Sequence, residues 1–141
     1  MPVDSPCRSL IAWIPLGVLA LAAGAVASPQ PYTCSNATLK GTYLYSESGV
    51  LNGKPYAESG REVYDGIGGI VLSYRGSDGS GGLERATYRV SADCIGTATY
   101  PDGQTATSFI SPDGSRFTYT ITAAPGARPT ALAGSELRVA P

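Results

Sequence analysis

The sequence contains no histidine. That removes Ser-His-Asp and Cys-His nucleophilic systems, histidine-based zinc or iron sites, and ordinary histidine acid–base chemistry. Tryptophan is nearly missing, with Trp13 alone among 141 residues, and there are only two phenylalanines. Charged residues make up 15% of the chain and almost cancel, leaving a formal net charge of −1. No basic stripe marks a surface for nucleic acid or for an anionic membrane, so neither is expected as a partner. No window holds a sustained apolar period of 3.6 residues, which argues against amphipathic helices.

The one long apolar run is LIAWIPLGVLALAA, residues 10–23, which carries no charge. A short segment with a single cation, Arg8, precedes it, and the small-x-small triplet Ala25-Val26-Ala27 follows. This is the layout of a secretory signal peptide cleaved after Ala27. The run falls short of the ~20 apolar residues that a membrane span requires. Residues 1–27 are therefore read as a signal peptide, 28–38 as an N-terminal segment tied by a disulfide, and 39–141 as one domain. The expected location is extracellular or periplasmic, with no membrane association after cleavage. Removing the signal also removes Cys7, and two cysteines left in an exported chain are expected to pair as Cys34–Cys94. Asn36-Ala37-Thr38 is a glycosylation sequon at Asn36, relevant only in a host that glycosylates exported proteins.

What the chain has in quantity is turns. Asn52-Gly53, Asp65-Gly66, Asp78-Gly79, Asp102-Gly103 and Asp113-Gly114 are Asx-Gly pairs of the kind that supply positive φ in tight hairpins. Ser91-Ala92-Asp93 and Pro125-Gly126 fill the gaps in the series. Seven turns delimit eight strands rich in Val, Ile, Thr and Tyr, predicted over 39–47, 55–64, 69–74, 83–90, 95–100, 105–110, 116–122 and 131–139. Short successive connections make neighbours antiparallel. The expected fold is all-β, an eight-stranded antiparallel meander closed into a barrel, because closure removes exposed edges. The alternative is a two-sheet β-sandwich.

YDGIGG, residues 64–69, has the glycine density of a phosphate loop. A phosphate loop leads into a helix, whereas Ile70-Val71-Leu72 continues as a strand. The spacing also matches neither the P-loop nor the dinucleotide fingerprint. The stretch is therefore read as a hairpin corner, with Gly68 and Gly69 as bend positions. Ser77–Gly82 likewise lacks the spaced acidic ligands of a calcium loop, so no metal site is expected.

Carboxylates, arginines and nine tyrosines remain to carry chemistry. Glu58 and Glu62 lie four apart on one strand and point the same way. They are candidates for general acid–base work if buried, against the plainer reading of a solvated strand face. Tyrosines spread over most strands suggest either a pocket lined with phenolic donors or an outward shield for the sheet. If a pocket exists, Tyr45, Tyr74, Tyr88 and Tyr119 are its candidate ligand-binding residues. Gly68, Gly69, Ala86, Ala98, Ala106, Ala131 and Ala133 are the small interior residues that would leave it room.

The segments Cys34-Ser35-Asn36-Ala37-Thr38-Leu39-Lys40-Gly41-Thr42-Tyr43, Tyr64-Asp65-Gly66-Ile67-Gly68 and Tyr88-Arg89-Val90-Ser91-Ala92-Asp93-Cys94-Ile95-Gly96 resemble a group of small, mostly bacterial exported proteins of unassigned function. That resemblance implies the same cysteine pairing and offers no catalytic residues. At the level of fold, the eight-strand plan is similar to allene oxide cyclase-type and lipocalin-like barrels. Two functions follow as expectations. One is a secreted barrel binding a small, largely apolar molecule in its interior. The other is a cyclase or isomerase, independent of any cofactor, acting on such a molecule with Glu58 or Glu62 as acid or base. Oligomeric state is left open by the sequence.

Overall fold

A computed structural model describes residues 33–141; the signal-peptide reading of residues 1–27 lies outside the described residues. The chain folds into eight strands: β1 Lys40–Leu51, β2 Lys54–Asp65, β3 Gly69–Gly76, β4 Gly81–Val90, β5 Ile95–Thr99, β6 Thr105–Ile110, β7 Arg116–Thr122 and β8 Ala131–Ala140. Each pairs antiparallel with the next, and β1 pairs with β8, so the meander closes into a barrel. A two-sheet sandwich is excluded by that closure. The turns fall at the Asx-Gly pairs. Asn52 and Gly53 both have positive φ (53° and 79°), the conformation that joins twisted strands through two residues. Because that turn is so short, β1 and β2 pair up to Leu51–Lys54, and β1 runs four residues beyond its predicted end at Glu47.

The corner YDGIGG solves its own polar problem. The Asp65 carboxylate Oδ1 accepts from the backbone N–H groups of Ile67, Gly68 and Gly69 at 2.8, 2.9 and 2.9 Å. These donors, chiefly that of Gly69, hold the Asp65 carboxyl below its ordinary pKa. The concave run of amides that suggests phosphate is therefore filled by the chain's own anion. Asp78, Asp102 and Asp113 repeat a smaller version, each accepting from the N–H two residues on.

Period-two alternation decides what faces inward. In β7, Phe117, Tyr119 and Ile121 are buried while Arg116, Thr118, Thr120 and Thr122 are exposed. The interior has two unlike halves. In one half, Tyr43, Tyr64, Tyr88 and Phe117 pack ring against ring. Tyr43–Tyr64 and Tyr64–Tyr88 meet edge-on at 5.1 Å, and Tyr43–Phe117 lie 5.6 Å apart. A short 3-10 turn, Asn36–Thr38, covers this end. Its hold is specific. The Tyr88 hydroxyl donates to the carbonyls of Leu39 (2.8 Å) and Asn36 (2.9 Å), and the Asn36 side chain accepts from Val90 N–H and donates to the Ile67 carbonyl. The sequon asparagine is thus a clamp within the fold. The Cys34–Cys94 disulfide and the Cys34 N–H bond to the Ala92 carbonyl fasten the segment to the β4–β5 turn.

The disulfide closes a loop of 60 residues in sequence, for which loop-closure entropy gives about 4 kcal/mol. We expect Cys34→Ser with Cys94→Ser to lower the unfolding free energy by roughly that amount, measured by urea denaturation. A loss under about 1 kcal/mol would show that the clamp bonds of Asn36 and Tyr88 alone hold the plug.

Candidate functional site

At the other end the interior is open. A cavity of about 260 Å³ lies between the β1–β2, β3–β4, β5–β6 and β7–β8 turns. Five tyrosines line it: Tyr45, Tyr56, Tyr74, Tyr100 and Tyr119. So do six acids, Glu47, Glu58, Glu62, Asp78, Glu84 and Asp102, together with apolar Leu51, Leu72, Ile121 and Leu132. No lysine or arginine lines it. A wider depression of about 540 Å³ lies on the outer wall beside Leu44, Phe109, Arg116 and Leu137. It is a shallow trough between outward side chains, and the titratable groups converge in the interior instead.

Cross-strand glycines make the room. Gly60 stands opposite Tyr45, and Gly134 opposite Tyr119. A Cβ at Gly60 would lie 2.7 Å from the Tyr45 ring and 2.3 Å from the Ser73 carbonyl oxygen. At Gly134 it would lie 2.6 Å from the Tyr119 ring. Both rings lie across a bare backbone, which keeps them against the wall rather than across the lumen. Gly68 and Gly69, expected as interior space, sit instead in the β2–β3 corner. Ala131 and Ala133 are exposed on the outer face, because β8 turns Leu132, Gly134 and Glu136 inward. Ala86, Ala98 and Ala106 do face the interior.

The phenols serve the carboxylates. Glu58 receives one hydroxyl on each oxygen, from Tyr45 and from Tyr56, both at 2.5 Å. Tyr56 also contacts Ser80 Oγ at 3.2 Å. Deeper, Tyr64 donates to Glu62 at 2.6 Å and reaches Glu136 at 3.4 Å. Glu62 and Glu136 are only 3% and 5% exposed, and Glu136 Oε2 has no hydrogen-bond partner. Burial raises both carboxyls, Glu62 to about 7 and Glu136 well above the ordinary range, with the charge of Glu62 adding to the rise at Glu136. Burial also pushes Glu47 up to about 7, against the lowering effect of the Tyr119 hydroxyl beside it.

The candidate residues named from the sequence divide. Tyr45, Tyr74 and Tyr119 line the cavity, as do Glu58 and Glu62. The solvated-face reading of those two glutamates fails, since Glu62 is buried and Glu58 half-buried with both oxygens engaged. Tyr88 belongs to the solid half, where burial raises its hydroxyl to about 12 and its hydrogen bonds close the plug. The phenolic lining considered from the sequence is present at the open end, and acids stand among the phenols. Glu47, Glu84, Glu136, Tyr56 and Tyr100 were missed. Strand parity held the signal: Glu47 is in phase with Tyr43 and Tyr45, and Glu136 with Leu132. Among the described residues no three acids or cysteines converge closely enough to hold a metal ion.

No protein-family model matches the chain, and no curated protein matches it. Among solved structures, a redesigned β-barrel, mFAP1, bound to DFHBI, is similar at a TM-score of 0.50 and 21% identity, over 73% of this chain and 97% of that one. A second redesigned barrel, mFAP0, also bound to DFHBI, gives 0.47 and 19%, over 72% and 99%. The similarity to mFAP1 is one of fold: this chain is built like a small closed β-barrel.

Glu47, Glu62 and Glu136 each bind a proton more tightly in the folded than in the unfolded chain. Protonation therefore favours folding, and the contribution is whole below the ordinary value of 4.5 and is lost as pH rises through about 7 for Glu47. The lowered carboxyls of Asp65, Asp78 and Asp113 act oppositely, but only in acid. We expect the melting temperature to fall between pH 5 and 8. Glu136→Gln should flatten that slope and raise the melting temperature at pH 8. A flat profile in the unmodified protein would show that the interior acids are solvated.

Proposed function

We propose that this protein is an exported barrel that holds one small organic molecule in the open half of its interior. The observation that carries this reading is the division of the lumen: a solid, ring-packed half, and a cavity of about 260 Å³ opening at one end. An eight-stranded barrel is just wide enough to fill itself with side chains or to admit one small ligand. This chain does each in a different half. The cavity combines apolar wall with a few convergent polar groups, as ligand sites do. The redesigned barrel of similar fold is bound to DFHBI, so the architecture is compatible with a small organic guest. Export is supported by the leader-like segment 10–27 and by a disulfide, which persists in oxidising compartments. No helix among the described residues is long and apolar enough to cross a membrane.

A second reading is favoured by one feature. Glu62 lies at the cavity floor, beside Glu136, and burial raises its carboxyl to about 7. A carboxyl poised in that range can both take and return a proton. That is the equipment of an isomerase or cyclase that needs no cofactor, with the phenols of Tyr45 and Tyr119 near any negative charge that develops. Catalysis would require the bound molecule to carry an acidic C–H within reach of Glu62.

Native mass spectrometry of the protein from its own host tests the first reading. We expect a mass adduct at one copy per chain, reduced at least fivefold by Leu51→Trp at the mouth. A chain that carries no adduct and takes up no small molecule offered to it would overturn the proposal. The adduct, once released and returned in heavy water, tests the second reading. An isomerase exchanges one C–H for deuterium, and Glu62→Gln abolishes the exchange even at guest concentrations that saturate the variant.

A further inference from the structure

We propose that the molecule held in the open half is a small organic cation: a protonated amine or quaternary ammonium on a compact apolar body. This inference rests on the binding reading above and names its ligand class.

The first ground is charge segregation. The chain as a whole is nearly neutral, yet the two faces of its wall are not. Arg61, Arg85, Arg89 and Arg116 all stand exposed on the outer face. Their strand neighbours Glu58, Glu62 and Glu84 face the cavity. The cavity thus concentrates carboxylates in a low-dielectric enclosure with no lysine or arginine on its wall, and such an enclosure focuses a negative potential. The half-buried Arg138 is committed at the plugged end, where its guanidinium donates to the Asp113 carbonyl.

The second ground is the direction of the hydrogen bonds. Tyr45 and Tyr56 already donate to Glu58, and Tyr64 donates to Glu62. At the rim, Gln104 donates to Asp102. Two of the five lining phenols, Tyr45 and Tyr56, are thus spent on Glu58. A guest therefore meets acceptors and aromatic faces, and Glu136 Oε2 behind Glu62 still lacks a donor. An anion would meet six acids and no lysine or arginine. An ammonium group satisfies carboxylates and is attracted to tyrosine faces as well.

The third ground separates an organic cation from a metal ion. The acids are spread around the wall, and no three converge as inner ligands would. Distributed carboxylates with rings between them suit a charge that is itself distributed over a bulky head.

Isothermal titration with choline, its neutral isostere 3,3-dimethylbutan-1-ol, benzyltrimethylammonium and benzoate tests the proposal. We expect both cations to bind at least tenfold more tightly than the isostere, and benzoate not to bind. Glu58→Gln/Glu62→Gln should weaken the cations at least tenfold and leave the isostere within twofold. Asp93→Asn, which removes the same kind of charge at the exposed β4–β5 turn, should leave all four unchanged. Circular dichroism confirms that the double variant is folded, and Glu84→Gln supplies an independent cavity variant. If the isostere or benzoate binds as well as the cations, the cation inference fails while the binding reading stands. If none of the four binds and native mass spectrometry shows no adduct, both fail.

Discussion

The pairing of β1 with β8 is the constraint on which the rest depends. Nine register partners, from Thr42–Ala140 to Val50–Ala131, close the sheet, with one bulge between Thr42 and Tyr43. Closure leaves no free edge and gives every strand one inside and one outside. From then on a residue's place is decided by parity alone, whatever its polarity. Alternation puts Glu47, Glu62 and Glu136 into the lumen alongside the tyrosines. Moving any of them out would require a register slip that exposes Tyr43, Tyr64 or Leu132 in exchange.

Enclosed acids are costly, and the interior is organised around that cost. Burial disfavours a carboxylate that lacks partners. Two devices reduce the penalty here. Tyrosine hydroxyls donate to Glu58 and Glu62, and burial beside Glu62 shifts Glu136 toward its neutral form. Neither device neutralises the cavity with a cation, and one oxygen of Glu136 is left without a bond. A core selected for stability alone would carry leucine or phenylalanine at these positions. The solid half of the same barrel does so with Ile70, Ile110 and Phe117.

Much of the architecture was legible in the sequence because turn chemistry is local. Five Asx-Gly pairs at regular spacing mark hairpins without any knowledge of what the strands pack against, and the strand boundaries follow, apart from the far end of β1. The site was less legible because it depends on which parity is inward. In AESGREVY neither face is plainly apolar, so the sequence leaves Glu58 and Glu62 unplaced, and only the closed sheet assigns them to the lumen. The same ambiguity misplaces Ala131 and Ala133. Tyr88 illustrates another limit. It shares an interior face with cavity tyrosines, but the depth at which the N-terminal segment plugs the barrel is a tertiary fact. That depth makes it a structural donor to Leu39 and Asn36.

The plug also fixes an orientation. Thr33 enters beside the β4–β5 turn, and β8 runs back to the same end, where the Ala140 carbonyl lies against Gly41. Both termini of the described chain therefore leave the barrel opposite its mouth. Anything joined to either one, whether a surface, a second domain or an engineered tether, would hold the protein by its base like a cup by its foot. The opening would then face away from whatever holds the protein.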